Sequence, residues 1–370
     1  MEPVIANQSY DGNYLRFTLK GVNVAFANAI RRTIISEIPC IVFRTSPNEL
    51  SRAIINVNTT RMNNELLKQR LSCIPIHIQD TSFPYDDYIV EIDSRNDTDI
   101  IQYVTTEDFK MKDVKSDKYL STAETRRIFP PSSITGDYID FARLRPRVSE
   151  DIPGEQLNMT CGLSIGTAKE DGAFNVACTC TYSATIDSVA ANAALTTRLK
   201  EMKTAGEDDN SLDRIRKDWQ ALEAKRYIKE NSFDYLIETV GVFTNETLVF
   251  KACHVVIDKL RQFQNILQSD TESIQSLSNN NTIEFGYDII LYNEDYTLGK
   301  VIEYVMYISH YGKVINYCGF SKPHPHRAES ILRLGFINKV DKSEIVTYLV
   351  NAASSAIIVF ERIANEFNTE

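Results

Sequence analysis

Nowhere in this chain do about 18 apolar residues follow one another, the length a membrane-spanning helix needs, so no span is expected. Basic charge is also short. Forty Lys and Arg stand against fifty Asp and Glu, a formal net charge of -10. A protein that grips a duplex through its phosphates carries a basic balance or a basic stripe, so no direct reading of nucleic acid is expected. There is no P-loop, no nucleophile elbow and no carboxylate cluster of the kind that holds catalytic magnesium, and the chain is expected to have no catalytic residues of its own. Histidine is scarce, and no two of the five form a ligand pair on one helix face. The seven cysteines (40, 73, 161, 178, 180, 253 and 318) are odd in number and scattered, which suits reduced thiols better than a disulfide frame. The opening residues, MEPVIANQSYDGNY, carry an early acid and no apolar core, and are not expected to act as a signal peptide.

What is present is an ordinary folding composition: 370 residues, 43% hydrophobic and 24% charged, enough for two or three domains. Tyr14 to Leu19 (YLRFTL) reads as a strand. It leads to NVAFANAIRRTIISEIP, where Phe26, Ala27, Ile30, Ile34 and Ile38 recur at helical spacing, with Asn23 as N-cap and Pro39 as stop. From 47 to 80 a second helical pattern (NNELLKQRLSCIPIHI) ends at Pro75, and 81–185 reads as a separate mixed-sheet subdomain of short Tyr-, Thr- and Ile-rich runs. Residues 189–230 are charged and helical, a surface excursion containing the one tryptophan, Trp219. After a further extended run (FDYLIETVGV) comes a helix over 247–267. There Val249, Cys253, Val256, Leu260, Phe263 and Leu267 repeat at gaps of four and three, the pattern either of a core helix or of a narrow seam against another helix.

The stretch 269–281 (SDTESIQSLSNNN) is polar and aperiodic, and reads as a linker. Beyond it the pattern restarts. A strand (TIEFGYDIILYN) precedes a helix carrying Leu298, Val301, Ile302, Val305, Met306 and Ile308. More sheet follows, then a last helix over 343–367 whose apolar face includes Ile345, Leu349, Ala352, Val359 and Phe360. Both ends therefore read strand, helix, further sheet and long amphipathic helix, as a diverged duplication would, and the two copies are expected to pack pseudo-symmetrically.

Six segments, in order, carry a family resemblance. GVNVAFANAIRRTIISEIP at 21–39 and NTTRMNNELLKQRLSCIPI at 58–76 resemble the third-largest subunit of eukaryotic RNA polymerase II, its archaeal D-type counterpart and the bacterial alpha chain. GEQLNMTCGLSIGTAKEDGAFNVA at 154–177 resembles the close of that family's inserted domain, and FDYLIETVGVFTNETLVFKAC its return to the dimerisation domain. EDYTLGKVIEYVMY and GFSKPHPHRAESILRL are similar to the eleventh subunit of RNA polymerase II and its archaeal L-type counterpart. One chain carrying both looks like the fused form of large DNA viruses.

The resemblance implies an α+β fold of two alpha-like dimerisation domains packed through helices as an intramolecular pseudo-dimer, the first interrupted by an inserted mixed-sheet domain. The expected boundaries are 1–46 with 227–268 for the first domain, 47–226 for the insert, 269–281 for the linker and 282–370 for the second domain. The dimerisation seam would comprise Phe26, Ile30, Ile34, Val249, Cys253, Val256, Leu260, Phe263, Leu298, Val301, Ile302, Val305, Val359 and Phe360. The implied function is a non-catalytic assembly platform of a multisubunit DNA-directed RNA polymerase. It would dock the two largest subunits and meet small ones, with no separate eleventh subunit, in the host cytoplasm (a viral factory) and the virion, with the nucleus left open. Arg31 and Arg32 point about 100° apart on their helix, so at least one is expected, with Asn28, to reach a partner through a bidentate guanidinium contact. Arg143, Arg145 and Arg147 read either as a partner contact or as a solvated strand edge. Relatives of the third-largest subunit commonly hold zinc on four close cysteines. Here only Cys161, Cys178 and Cys180 lie near one another in sequence, and no metal or cofactor is expected. His324 and His326 flank Pro325 in a loop read as a rigid turn. Two other readings stay open: a stand-alone alpha-fold scaffold outside a polymerase, and a metal- or redox-dependent protein using those three cysteines.

Overall fold

The computed structural model describes residues 1–149, 152–269, 272–277 and 283–368. The chain opens with β1 (Val4–Asp11), β2 (Tyr14–Lys20) and α1 (Val24–Ser36). It continues through β3 (Cys40–Phe43), β4 (Ala53–Asn58), α2 (Asn64–Ser72), β5 (Tyr88–Arg95), β6 (Gln102–Thr105), β7 (Lys110–Asp113) and β8 (Lys118–Tyr119). Then come α3 (Thr122–Ile128), β9 (Asp140–Leu144), β10 (Gln156–Gly166), β11 (Ala177–Ile186), α4 (Ser188–Thr204), α5 (Asp209–Ala221), β12 (Ile228–Thr239) and α6 (Asn245–Ser269). The rest is β13 (Ile274–Ser276), β14 (Phe285–Tyr292), α7 (Tyr296–His310), β15 (Ile315–Ser321), β16 (Glu329–Phe336) and α8 (Lys342–Glu366). These elements form two compact units. A larger one comprises 1–33, 179–238 and 245–370, and a smaller one 34–178 with 239–244.

The larger unit holds two four-stranded sheets, ordered β1-β2-β12-β11 and β13-β14-β16-β15. Taken by place in the chain, the orders are the same. Each begins with an antiparallel pair, β1 on β2 and β13 on β14. In each, the second strand runs into a helix of 13 to 15 residues (α1, α7) and the strand beside it runs into one of 25 (α6, α8). Polar side chains start the shorter helices. Asn23 Oδ1 accepts from Ala25 N at 3.0 Å before α1, and Asp295 Oδ1 accepts from Thr297 N at 2.8 Å before α7. Two glycines permit close approaches: a Cβ at Gly299 on α7 would lie 2.1 Å from the Phe320 ring of β15, and Gly21, at φ +76, would meet the Glu2 carbonyl.

On α6 the buried stripe is wider than a narrow seam. Beside Val249, Cys253, Val256, Leu260, Phe263 and Leu267 it includes Leu248, Ala252 and Ile257, because the helix touches β2 and α7 as well as α8. The facing helix, α8, buries Ala352, Ala353 and Ala356 between larger residues such as Leu349, Val359 and Phe360. Small residues there let the two helices approach closely. By length and composition α8 alone among the described helices could cross a membrane, contrary to the expectation from unbroken apolar runs. Its apolar side is instead the face buried in this unit.

The smaller unit is built around β10, where alternate residues Leu157, Met159, Cys161 and Leu163 are buried. β10 pairs antiparallel with β3, β4 and β5, and β5 continues through β7 to β8. Four phenylalanines close its core, with ring centroids 5.4 Å (Phe109–Phe129), 5.6 Å (Phe109–Phe141) and 6.1 Å (Phe43–Phe129) apart. From α2, capped by Asn63, Leu67 and Leu71 reach the same core.

Several sequence expectations change. The strand pairs described in the smaller unit are antiparallel rather than mixed. Between 47 and 80 the first element is a strand, β4, with the helix confined to α2. The excursion α4–α5 belongs with the larger unit, not with an insert spanning 47–226, because β11 and β12 on either side of it lie together in one sheet. The expected linker 269–281 contains β13, whose Ile274 is fully buried and pairs with Ile289. Residues 270–271 and 278–281 of that linker lie outside the described residues. A short polar strand with one inward apolar residue has too little periodicity to be distinguished from a loop.

Replacing Ile274 by Ala should therefore cost about 2–5 kcal/mol of unfolding free energy in a urea titration. A change within about 0.5 kcal/mol, as for a solvated connector, would show that β13 is not part of the folded unit.

Candidate functional site

Within the larger unit, residues from before and after the 269–281 stretch meet along α1, α6, α7 and α8. All fourteen expected seam residues are buried: Phe26, Ile30, Ile34, Val249, Cys253, Val256, Leu260, Phe263, Leu298, Val301, Ile302, Val305, Val359 and Phe360. Ile34 lies on the last turn of α1, at the start of the smaller unit, and the other thirteen belong to the larger unit. The contacts include rings. Phe26 of α1 lies 5.1 Å from Phe360 of α8 and 6.3 Å, edge-on, from Tyr304 of α7. Phe17 of β2 meets Phe367, just past α8, at 4.9 Å. Aromatic pairs at such distances add about 0.5–1.5 kcal/mol beyond the area they bury.

Polar groups frame this apolar contact. From α1, Arg32 donates through Nη2 to Asp295 Oδ2 at 2.5 Å and through Nε to Thr297 Oγ1 at 2.8 Å, so one guanidinium holds both the cap and the first turn of α7. Lys259 of α6 pairs with Glu294 at 3.1 Å, both side chains less than one-fifth exposed. Farther along α6, Gln264 Nε2 donates to the Val350 carbonyl at 3.0 Å and to Ser354 Oγ at 2.8 Å on α8, and Arg261 reaches Glu361 at 3.3 Å.

Arg31 and Arg32, expected together as docking residues, have separate surroundings. Arg32 is held inside the unit by Asp295 and Thr297. Arg31 turns back on its own helix, where Nε and Nη2 donate to Asn28 Oδ1 at 3.0 and 2.9 Å. That bidentate contact fixes Arg31 and Asn28 as one half-buried polar pair, and the charge lies near Cys180 and Tyr182 of β11. The remaining arginines of interest sit in the smaller unit. Arg143 pairs with Asp140 and lies over the Tyr103 ring, Arg145 pairs with the buried Glu155, and Arg147 N donates to Thr98 O.

The three cysteines of the metal reading differ in environment. Cys161 and Cys180 are buried and Cys178 is exposed. Burial pushes the Cys161 and Cys180 thiols up to about 12, which disfavours the thiolate that a metal or an oxidant would need. Among the described residues no three His, Cys, Asp or Glu side chains converge as a metal set would. His324 and His326 form a local turn in which His326 N donates to His324 Nδ1 at 3.1 Å.

A family model described as the RNA polymerase Rpb3/Rpb11 dimerisation domain matches residues 16–260. The chain belongs to that family. The match runs from β2 into α6, and β13 to α8 lie beyond it. Among curated proteins, the chain is 33% identical over 88 residues to subunit RPAC1 of DNA-directed RNA polymerases I and III from Homo sapiens, covering 23% of each chain. It is 28% identical over 187 residues to the corresponding Dictyostelium discoideum protein, covering 47% of this chain and 50% of that one. It is 34% identical over 74 residues to subunit 3B of RNA polymerases IV and V from Arabidopsis thaliana, covering 20% of this chain and 21% of that one. The chain thus spans between about a fifth and a half of the length of these relatives.

Asp295, Thr297, Lys259 and Glu294 were missed as pairing residues in the Rpb3/Rpb11-type sequence pattern. The Asp-x-Thr signal marks Asp295 as a helix cap, but nothing local says which cation from 263 residues earlier will find it. Burial alone would raise the Asp295 carboxyl. Hydrogen bonds from Thr297 and the Arg32 guanidinium outweigh burial and hold it below its ordinary value of 3.8. A lowered folded-state value means the carboxylate stabilises the fold fully above about pH 4, and that this contribution fades as pH falls through the folded value. Asp295→Asn should therefore lower the urea midpoint at pH 7, with the difference from wild type shrinking below pH 4. An unchanged gap between pH 7 and pH 3 would remove Asp295 from the acid response.

Proposed function

We propose that this chain is a non-catalytic assembly platform of a multisubunit DNA-directed RNA polymerase, in which an Rpb3-like half and an Rpb11-like half are fused and pair within one polypeptide. One observation carries this reading: the two sheets of the larger unit share one strand order, and the equivalent long helices, α6 and α8, bury their stripes on each other. Membership of the Rpb3/Rpb11 family, and polymerase subunits as relatives, give the pairing its context. Fusion makes the pairing step intramolecular, so it no longer depends on subunit concentration and needs no separate eleventh subunit.

The composite surface docks the largest and second-largest subunits and meets small polymerase subunits, without reading nucleic acid or entering a membrane. With Arg32 committed to Asp295 and Thr297, the Arg31–Asn28 pair is the better docking contact. Its guanidinium is already oriented, and its remaining donor capacity suits a carboxylate or main-chain carbonyls. A fused chain of this type fits a large DNA virus, with the enzyme in the cytoplasmic factory and packaged in the virion.

A tagged chain recovered from its native source should bring down two very large subunits at one-to-one stoichiometry, with transcription activity and no separate Rpb11-like protein. Arg31→Ala should weaken recovery of a large subunit about tenfold while leaving the urea midpoint nearly unchanged. Elution of the chain alone, or with a distinct small partner seated on α8, would sink the platform reading.

A further inference from the structure

Counting from the helix caps exposes an asymmetry in the contact between the halves. The cap is Asn23 before α1 and Asp295 before α7. The residue just before each cap is Val22 in the first half and Glu294 in the second. At the same distance past its cap, α1 carries Arg32 and α7 carries Tyr304. Arg32 reaches across to Asp295 and Thr297, while Tyr304 reaches back to Phe26 near the start of α1. The two crossings occupy equivalent places, but one is ionic and the other aromatic. Beside the ionic crossing lies the second ion pair, Lys259 to Glu294, again cation from the first half and carboxylate from the second.

We propose that Arg32 and Lys259, facing Asp295 and Glu294, form a charge code that makes each first half select a second half and reject a like half from another copy of this chain. This rests on the reading of two paired halves. A pair of first halves built on the same helix contacts would place both copies of Arg32 and Lys259 against Asn23 and Val22, gathering four cations with no opposing carboxylate. A pair of second halves would gather two Asp295 and two Glu294 around Tyr304, four carboxylates against one Lys322 from each half, which already bonds the Glu294 carbonyl. Like charges brought together at a half-buried contact disfavour the wrong partner more strongly than a lost bond alone would. The matched apolar positions on α1 and α7 supply little of this choice. Phe26, Ile30, Leu298 and Ile302 occupy equivalent places on α1 and α7 and are interchangeable in kind. The code matters because each newly made chain exposes two sticky faces, and a neighbouring copy offers both of them again.

The test uses the full chain with a protease site placed between Ser269 and Ile274, ahead of β13, cut after purification so that every residue is still present. Native mass spectrometry then counts mixed pairs against same-half pairs after mixing two isotope-labelled preparations. Wild type should exchange partners and yield only mixed pairs. A variant with Arg32→Tyr, Asp295→Asn, Lys259→Met and Glu294→Val erases the difference and should lower the mixed-to-same-half ratio about tenfold or more. The reversed pair, Arg32→Asp with Asp295→Arg, keeps a clamp of opposite polarity and should stay mixed, which guards against a variant that merely folds poorly. Scrambling of the cut wild type, or exclusively mixed pairs in the fourfold variant, would overturn the code while leaving the paired halves intact. Separation of the cut wild type into free halves would overturn the paired reading itself, and the code with it.

Discussion

Two 25-residue helices, α6 and α8, each bury an apolar stripe that neither could leave in water, and they bury much of it on each other. Large side chains such as Leu260, Phe263, Val359 and Phe360 contribute about 1.5–3 kcal/mol apiece when fully buried. A net hydrogen bond contributes about 0.5–1.5 kcal/mol. The strength of the contact is thus apolar. The rest of the larger unit depends on it, since without the other half each long helix would expose the apolar stripe it now buries.

Strength and uniqueness come from different residues. Apolar stripes tolerate sliding and exchange, because one leucine meets another about as well as a valine. Arg32, Lys259, Arg261 and Gln264 add little to the total but fix the geometry: each bonds its own groups on the facing half, spaced from the α7 cap to the middle and end of α8. The half-buried pairs near α7 are also the ones least screened by salt. Arg32 illustrates the trade. A guanidinium that could have faced a partner is used to set the seat of a helix, while Arg31 stays tied to Asn28 on its own helix.

Much of this was legible in the sequence where periodicity is long. The stripes of α1, α6, α7 and α8 and the Asn23 cap follow from spacing, since every turn of a helix repeats the same demand, while the expectation that those stripes form a seam comes from the family resemblance. What escaped is what spacing cannot encode. β13 is three residues long, with one buried side chain, and reads as polar coil until β14 is beside it. β1 was not anticipated, because most of its side chains are exposed and its place is set by hydrogen bonds to β2. Assignment of α4–α5 to the larger unit depends on β11 and β12 sharing a sheet, a long-range fact. The ion pairs across the halves, from Lys259–Glu294 to Arg362–Glu2, join residues 35 to 360 apart in the chain, with no local signature.

β13 changes how the proposed duplication is understood. With 269–281 taken as a tether, the second half would have only three strands against the first half's four, and its sheet would end on β14 with an unpaired edge beside a buried core. Giving β13 the place that β1 holds in the first sheet restores the match strand for strand and covers that edge. The connection between the halves is then shorter than the polar stretch suggests, running from the end of α6 at Ser269 to β13 at Ile274. So short a crossing cannot let α8 wander over the surface of α6. It delivers the second sheet next to the helix that must be covered, and the choice left to the side chains is which half, not where.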